Sequence, residues 1–195
     1  MNIDAENEKA LLRKAVRGDR RACEELVRRN QDLIYNSIIY MTGDPDAAED
    51  LTQSVFMKAL ENIDSFKGKS KFSTWLYSIM LNTVRNFQRK MVRYRTVSLD
   101  DNPGESSWTL KDDLRAGGKE PWEALVSQEN TQLIKTALAS LKDEYREIIV
   151  LRDIEGLSYI RLAKVLDISQ GTVKSRLSRA RCALKLQLER VMEEI

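Results

Sequence analysis

Near the C-terminus of the 195-residue chain, Lys174, Ser175, Arg176, Ser178, Arg179 and Arg181 fall largely outside an apolar stripe of helical period, and the N-terminal half of that helix offers six polar side chains, Thr172, Lys174, Ser175, Arg176, Ser178 and Arg179. The stripe is Val173, Leu177, Ala180, Leu184, Leu188 and Val191, at steps of three or four. Lysine and arginine can hydrogen-bond guanine edges, and hydroxyls can reach a phosphate or a base. The first turn of such a helix adds free backbone N–H groups suited to a phosphate. From Ile168 to Lys185 there are five basic residues and no acid. The chemistry on offer is recognition of duplex DNA through the major groove. The sequence leaves open which of the six would touch bases and which phosphates.

A second set lies far upstream. Lys67, Gly68, Lys69, Ser70, Lys71 and Phe72 form a basic loop, and Asn82 and Asn86 follow on a polar strip shared with Arg89. Phe72, Trp75, Tyr77 and Phe87 are interleaved with the cations. A positive groove with aromatic or polar pockets suits single-stranded nucleic acid, and an asparagine offers a base edge both donor and acceptor. Trp75 shares the face of Ile79 and reads as core; Phe72 and the three lysines read as ligands. A third set, Asp50, Gln53 and Phe56, mixes a carboxylate with a large aromatic on one helix side. Either Phe56 joins the core or the three form a docking surface for a partner.

The elements that must position these residues are helices. Ser158 caps a short amphipathic helix to Leu166, and Asp167-Ile168-Ser169-Gln170-Gly171 connects it to the basic helix. Two short helices, a tight turn and a basic second helix form a helix-turn-helix. Upstream, an apolar stripe runs over 5–29 with a break around Gly18-Asp19, and Asp32 to Met41 continues as a strongly apolar helix. Thr42-Gly43-Asp44-Pro45 stops it. Asp46 to Ile63 is the next helix, and Ser73 or Thr74 is expected to cap a long one reaching about Arg93. Arg95 to Trp122 holds breaker signals and no sustained period. Helices are expected again over Glu123 to Leu138 and Lys142 to Asp153. The fold class is all-α: two small helical domains, 1–95 and 123–195, joined by an irregular acidic linker over 96–122.

Net charge is only +2, yet it is strongly segregated. Lys67 to Arg95 carries eight basic residues and no acid, Asp44 to Asp64 carries six acids and one base, and 96–123 is net −4. Two separate cationic patches point to a polyanion bound at two places. The chain has no histidine, which removes the commonest general base and the commonest zinc partner. No cofactor or metal is expected, and no enzymatic activity. Cys23 and Cys182 lie far apart in helical patterns and read as buried or half-buried free thiols. No apolar run approaches the ~20 residues that span a bilayer, and the N-terminus lacks a signal-peptide pattern. A cytoplasmic protein with no stable membrane insertion of its own is expected.

Three segments together resemble the extracytoplasmic-function group of bacterial sigma factors. They are Ala48-Glu-Asp-Leu-Thr-Gln-Ser-Val-Phe-Met-Lys-Ala59, Phe66-Lys-Gly-Lys-Ser-Lys-Phe-Ser-Thr-Trp-Leu-Tyr-Ser-Ile-Met-Leu-Asn-Thr83 and Gly171-Thr-Val-Lys-Ser-Arg-Leu-Ser-Arg-Ala-Arg181. The resemblance covers nearly the whole chain. It implies a sigma region 2 helical bundle followed by a sigma region 4 domain with the helix-turn-helix. It further implies that Asp50, Gln53 and Phe56 dock on core RNA polymerase. Lys67, Gly68, Lys69, Ser70, Lys71 and Phe72, with Asn82 and Asn86, would recognise and melt the promoter −10 element. Thr172, Lys174, Ser175, Arg176, Ser178 and Arg179 would read the −35 element as duplex. An anti-sigma factor is the implied regulator. A ligand-sensing helix-turn-helix regulator would share the C-terminal reader but has no need of the basic-aromatic segment at 67–95. A recombinase would need a nucleophile, and Ser73, Ser98 and Tyr94 lack a supporting constellation.

Overall fold

The computed structural model describes residues 3–68, 70–97 and 131–193. Lys69, residues 98–122 of the expected linker and the first part of the helix expected from Glu123 lie outside the described residues. Among the described residues there are helices and no strand. They fall into two compact units, one holding residues up to Ile38 and from Asp46 through Val97, the other holding Ile39–Pro45 and the C-terminal helices.

The first unit holds α1 (Ile3–Val16) and α2 (Arg20–Thr42) as far as Ile38, and the two helices break where the glycine requires it. Gly18 sits at φ +83, a left-handed conformation that other residues adopt at a cost, and its N–H closes on the Ala15 carbonyl. The Asp19 carboxylate then accepts the Ala22 N–H at 3.1 Å and starts α2. Helix α3 (Pro45–Glu61) opens on a proline, whose missing N–H is harmless in a first turn. A single 3₁₀ turn, Ile63–Ser65, follows it. Helix α4 (Phe72–Val97) begins one or two residues before the expected Ser73 or Thr74 cap. Those two side chains lie inside its first turn, and the expectation is corrected. The Lys58 ammonium donates to Thr83 Oγ1 at 3.1 Å and joins α3 to α4. Leu26, Ile34, Ile38, Val55, Leu76, Met80 and Leu81 are buried in the core.

The second unit is built from α5 (131–139), α6 (Asp143–Ile149), α7 (Tyr159–Leu166) and α8 (Gln170–Glu193). Helix α6 continues as a π-helical turn, Val150–Ile154, before Gly156. Arg146 fastens the α5–α6 corner. Its guanidinium donates to the carbonyls of Leu138, Ala139 and Leu141 at 2.7–2.8 Å, and to Asp143 at 3.1 Å. Those carbonyls include ones that the end of α5 leaves without a helical partner. Burial pulls the Arg146 pKa down, with Asp143 and Glu147 opposing the shift.

The helix-turn-helix follows the expected boundaries. The Ser158 hydroxyl accepts the Arg161 N–H as the cap of α7. Asp167 closes the helix in the left-handed region at φ 55, where aspartate is one of the few tolerated residues. Ser169 caps α8 by accepting the Thr172 N–H at 3.1 Å. Leu162, Val165 and Leu166 of α7 and Val173, Leu177 and Ala180 of α8 are all buried. Each buried leucine or valine contributes about 1.5–3 kcal/mol of transfer free energy toward holding the unit together. The later stripe residues, Leu184, Leu188 and Val191, are only half-buried.

Candidate nucleic-acid and partner surfaces

On α8, Lys174, Ser175, Ser178 and Arg179 are exposed, and Thr172 is half-buried. The hydroxyls of this first stretch also serve the helix itself. Thr172 and Ser169 share a hydrogen bond of 2.8 Å, and Ser175 donates to the Thr172 carbonyl at 3.2 Å. Arg179 Nε donates to the Ser175 carbonyl at 3.3 Å, which leaves its terminal nitrogens for a ligand. Arg176 is placed differently from the rest of the predicted set. Its side chain is only 21% exposed, and Nη2 lies 3.4 Å from Glu144 Oε2 of α6.

Periodicity places Arg181 outside the apolar stripe with the other cations but not in the set assigned to DNA, and its guanidinium is engaged. Nε donates to Asp153 Oδ2 at 3.0 Å and Nη2 donates to Asp153 Oδ1, a two-pronged pair across 28 residues. The hydrogen bonds it donates to Asp153 hold the Arg181 guanidinium above its ordinary pKa. Arg152, beside Asp153 in sequence, lies 5.0 Å from the centre of the Tyr159 ring and donates to the Leu157 carbonyl at 2.7 Å.

In the first unit, Lys67, Gly68, Ser70 and Lys71 are exposed. Gly68 turns the loop at φ +66. Asn82 and Asn86 are exposed on α4, and Arg89 Nη1 donates to Asn86 Oδ1 at 3.4 Å. Phe72 departs from the expectation. It is 2% exposed and packs against Phe66 and Trp75, each ring centre 5.6 Å away. The reading of Phe72 as a base ligand is therefore corrected: its ring is core. Trp75 is the less buried of the two. An aromatic at a loop–helix junction can face either way, and only the packing of the neighbouring rings decides it.

On α3, Asp50 and Gln53 are exposed, whereas Phe56 is 6% exposed among Leu51, Val55 and Ala59. The alternative in which Phe56 joins the core holds, and its place in the docking set is corrected. The exposed apolar side chain of α3 is Met57, at 63%.

Cys23 and Cys182 are both free thiols; Cys23 is half-buried as expected, whereas Cys182 is exposed and the expectation for it is corrected, since it lies off the buried Val173–Leu177–Ala180 side of α8. Burial, with Asp19 and Glu24 nearby, pushes the Cys23 thiol up. No described helix is long and apolar enough to cross a membrane.

Residues 26–94 match the family model of Sigma-70 region 2, and residues 131–184 match that of Sigma-70, region 4. The chain is 37% identical over 181 residues to the ECF RNA polymerase sigma factor SigW of Bacillus subtilis, covering 92% of this chain and 96% of that one. It is 33% identical over 193 residues to the RNA polymerase sigma-H factor of Pseudomonas aeruginosa, covering 98% of this chain and 99% of that one. Among solved structures, it is similar to the sigma factor RpoE of Bartonella quintana, in complex with the anti-sigma factor NepR. That match has a TM-score of 0.69 and 30% identity, and covers 85% of this chain and 96% of the other.

Proposed function

The chain belongs to the extracytoplasmic-function group of the sigma-70 family, and from that premise we propose that it binds core RNA polymerase and directs it to specific promoters. The observation that carries the reading is the pairing of two matched regions with two exposed sets of side chains, one in each region. A sigma factor acts by binding, so no catalytic group is assigned. It acts in the cytoplasm, where the promoter DNA is.

In the region 4 match, Lys174, Ser175, Ser178 and Arg179, with Thr172 at the helix start, read the −35 element as duplex. Their exposure at the N-terminal half of α8 supports this, because that half of a recognition helix enters the major groove. In the region 2 match, Lys67, Gly68, Lys69, Ser70 and Lys71 hold the −10 element, and Asn82 and Asn86 receive unstacked bases. Unstacking a base costs a few kcal/mol. Charge neutralisation by the lysines and hydrogen bonds from the asparagines offset that cost. Asp50 and Gln53 contact polymerase. The functional division is 1–95 for docking and −10 melting, 96–122 as connector and 123–195 for −35 reading. The similar sigma factor is bound to an anti-sigma factor, and we propose the same kind of control for this chain.

The test is run-off transcription from promoter fragments, with core polymerase alone and with core polymerase plus this protein. Promoter-specific transcripts should need the protein. Equal, promoter-independent output in both tubes would sink the reading.

A further inference from the structure

Two ion pairs hold α8 against α6, one near each end of the shorter helix. Glu144 stands in the first turn of α6, and Asp153 in the π-helical turn that ends it. Arg176 reaches the first and Arg181 the second. We propose that Arg176 and Arg181 are positioning residues: with Glu144 and Asp153 they fix the tilt of α8, and direct DNA contact falls to Lys174, Ser175, Ser178 and Arg179.

Three observations carry this. The first is burial: Arg176 is the least exposed cation of its stretch, while Lys174 and Arg179 on either side of it are open to solvent. The second is geometry. The Arg181–Asp153 pair is two-pronged, so it fixes orientation as well as distance. The third is economy of charge. A guanidinium already facing a carboxylate has part of its charge and donors engaged and offers a phosphate correspondingly less. Arg179 faces only a backbone carbonyl among the described contacts and has far less engaged. Exposed pairs add little to stability, and half of each pair here is open to water. Their value lies in register: a small rotation of α8 would carry Lys174 and Arg179 off their base edges while leaving the unit folded.

The inference rests on α8 being the −35 reader, and the experiment separates the two. The probe is a duplex enriched from a randomised library by wild-type protein bound to core polymerase, compared with the same duplex scrambled over the enriched bases. Affinity for both is measured for Arg176→Glu, Glu144→Arg and the charge-swapped double variant, each checked for a cooperative thermal transition. Each single variant should lose about tenfold in the ratio of cognate to scrambled affinity, the loss expected for a displaced base contact. The double variant should recover most of it. If the double variant stays as weak as Arg176→Glu while Glu144→Arg alone is harmless, Arg176 contacts DNA itself and the proposal falls. Should the swapped protein not fold, Arg176→Gln decides through salt. An unchanged slope of log affinity against log salt, together with lost discrimination, supports positioning; a slope reduced by about one unit shows a lost phosphate contact and overturns it. Independently, Lys174→Ala with Arg179→Ala tests the reader: undiminished discrimination there would remove the −35 reading itself.

Discussion

The carboxylate of Glu8, in α1, accepts the backbone N–H of Phe72 at 3.1 Å across 64 residues of sequence. Phe72 is the first residue of α4, so a side chain from another helix caps the helix that carries Asn82 and Asn86. A carboxylate at a helix N-terminus satisfies an orphan donor and faces the positive end of the dipole. Replacing Glu8 with alanine should cost about 0.5–2 kcal/mol, the usual range for a lost cap. Hydrogen exchange should quicken first at the Phe72, Ser73 and Thr74 amides. Unchanged exchange there, with a normal unfolding midpoint, would show that the cap contributes nothing in solution.

Phe72 and Lys71 are sequence neighbours with opposite fates. Phe72→Ala should destabilise the first unit by about 3–5 kcal/mol, as for other buried phenylalanines, and chemical denaturation measures it. Lys71 is exposed. Lys71→Ala should leave the unfolding midpoint in place, weaken promoter binding and lower its salt dependence by about one counterion. A large stability loss from Lys71→Ala would contradict its exposed position.

Asn82→Ala should slow strand opening about tenfold, roughly one lost base contact, and change the initial polymerase–promoter affinity less than about twofold. Fluorescence of a base analogue in the −10 element reports opening, and filter binding reports the initial complex. A defect confined to initial duplex binding would mean that Asn82 does not meet the melted strand.

The exposed side of α3, proposed to face polymerase, separates from its core side. Asp50→Lys and Gln53→Ala should reduce affinity for core polymerase without moving the unfolding midpoint. Met57→Asp should do the same, since Met57 and not Phe56 is the exposed apolar residue of this helix. Phe56→Ala should instead lower stability by about 3–5 kcal/mol. Titration of core polymerase against labelled protein distinguishes the two classes. Normal affinity in all three surface variants would move the docking surface elsewhere.

One carboxylate reports on α2 through pH. Glu25 accepts hydrogen bonds from Arg28 and from Arg29, at 2.8 Å and 2.6 Å, and these hold its carboxyl at about 2. An unfolded glutamate titrates near ~4.3. The folded value is the lower one, so the ion pairs favour the folded state fully above about 4.3 and lose their contribution as pH falls toward 2. Carboxyl chemical shifts should show Glu25 titrating near the low value in the wild type. In the Arg28→Gln, Arg29→Gln double variant it should move back toward the ordinary one. A wild-type midpoint near 4.3 would mean that the pairs do not persist in solution.

The sequence by itself determined which stretches are helical, where most of them stop and where charge collects. Those properties are local. Apolar residues at steps of three or four select a helix face, Gly18 and Gly156 supply left-handed backbone, and Ser158 caps within its own turn. The family resemblance was equally legible, because its motifs are contiguous. Only the tertiary structure decided the side chains at the margins. Phe56 adjoins the Leu51–Val55 stripe, and a buried arc more than 100° wide leaves its edge residues in or out according to the neighbouring helix. Phe72 follows a loop with no period, and Phe66 and Trp75 enclose it. Glu8 caps a helix 64 residues away, Asp153 pairs with an arginine 28 residues on, and Glu144 draws Arg176 out of the exposed set. No spacing rule announces such pairs. They arise when two surfaces pack, and the chain records their partners only as separate letters.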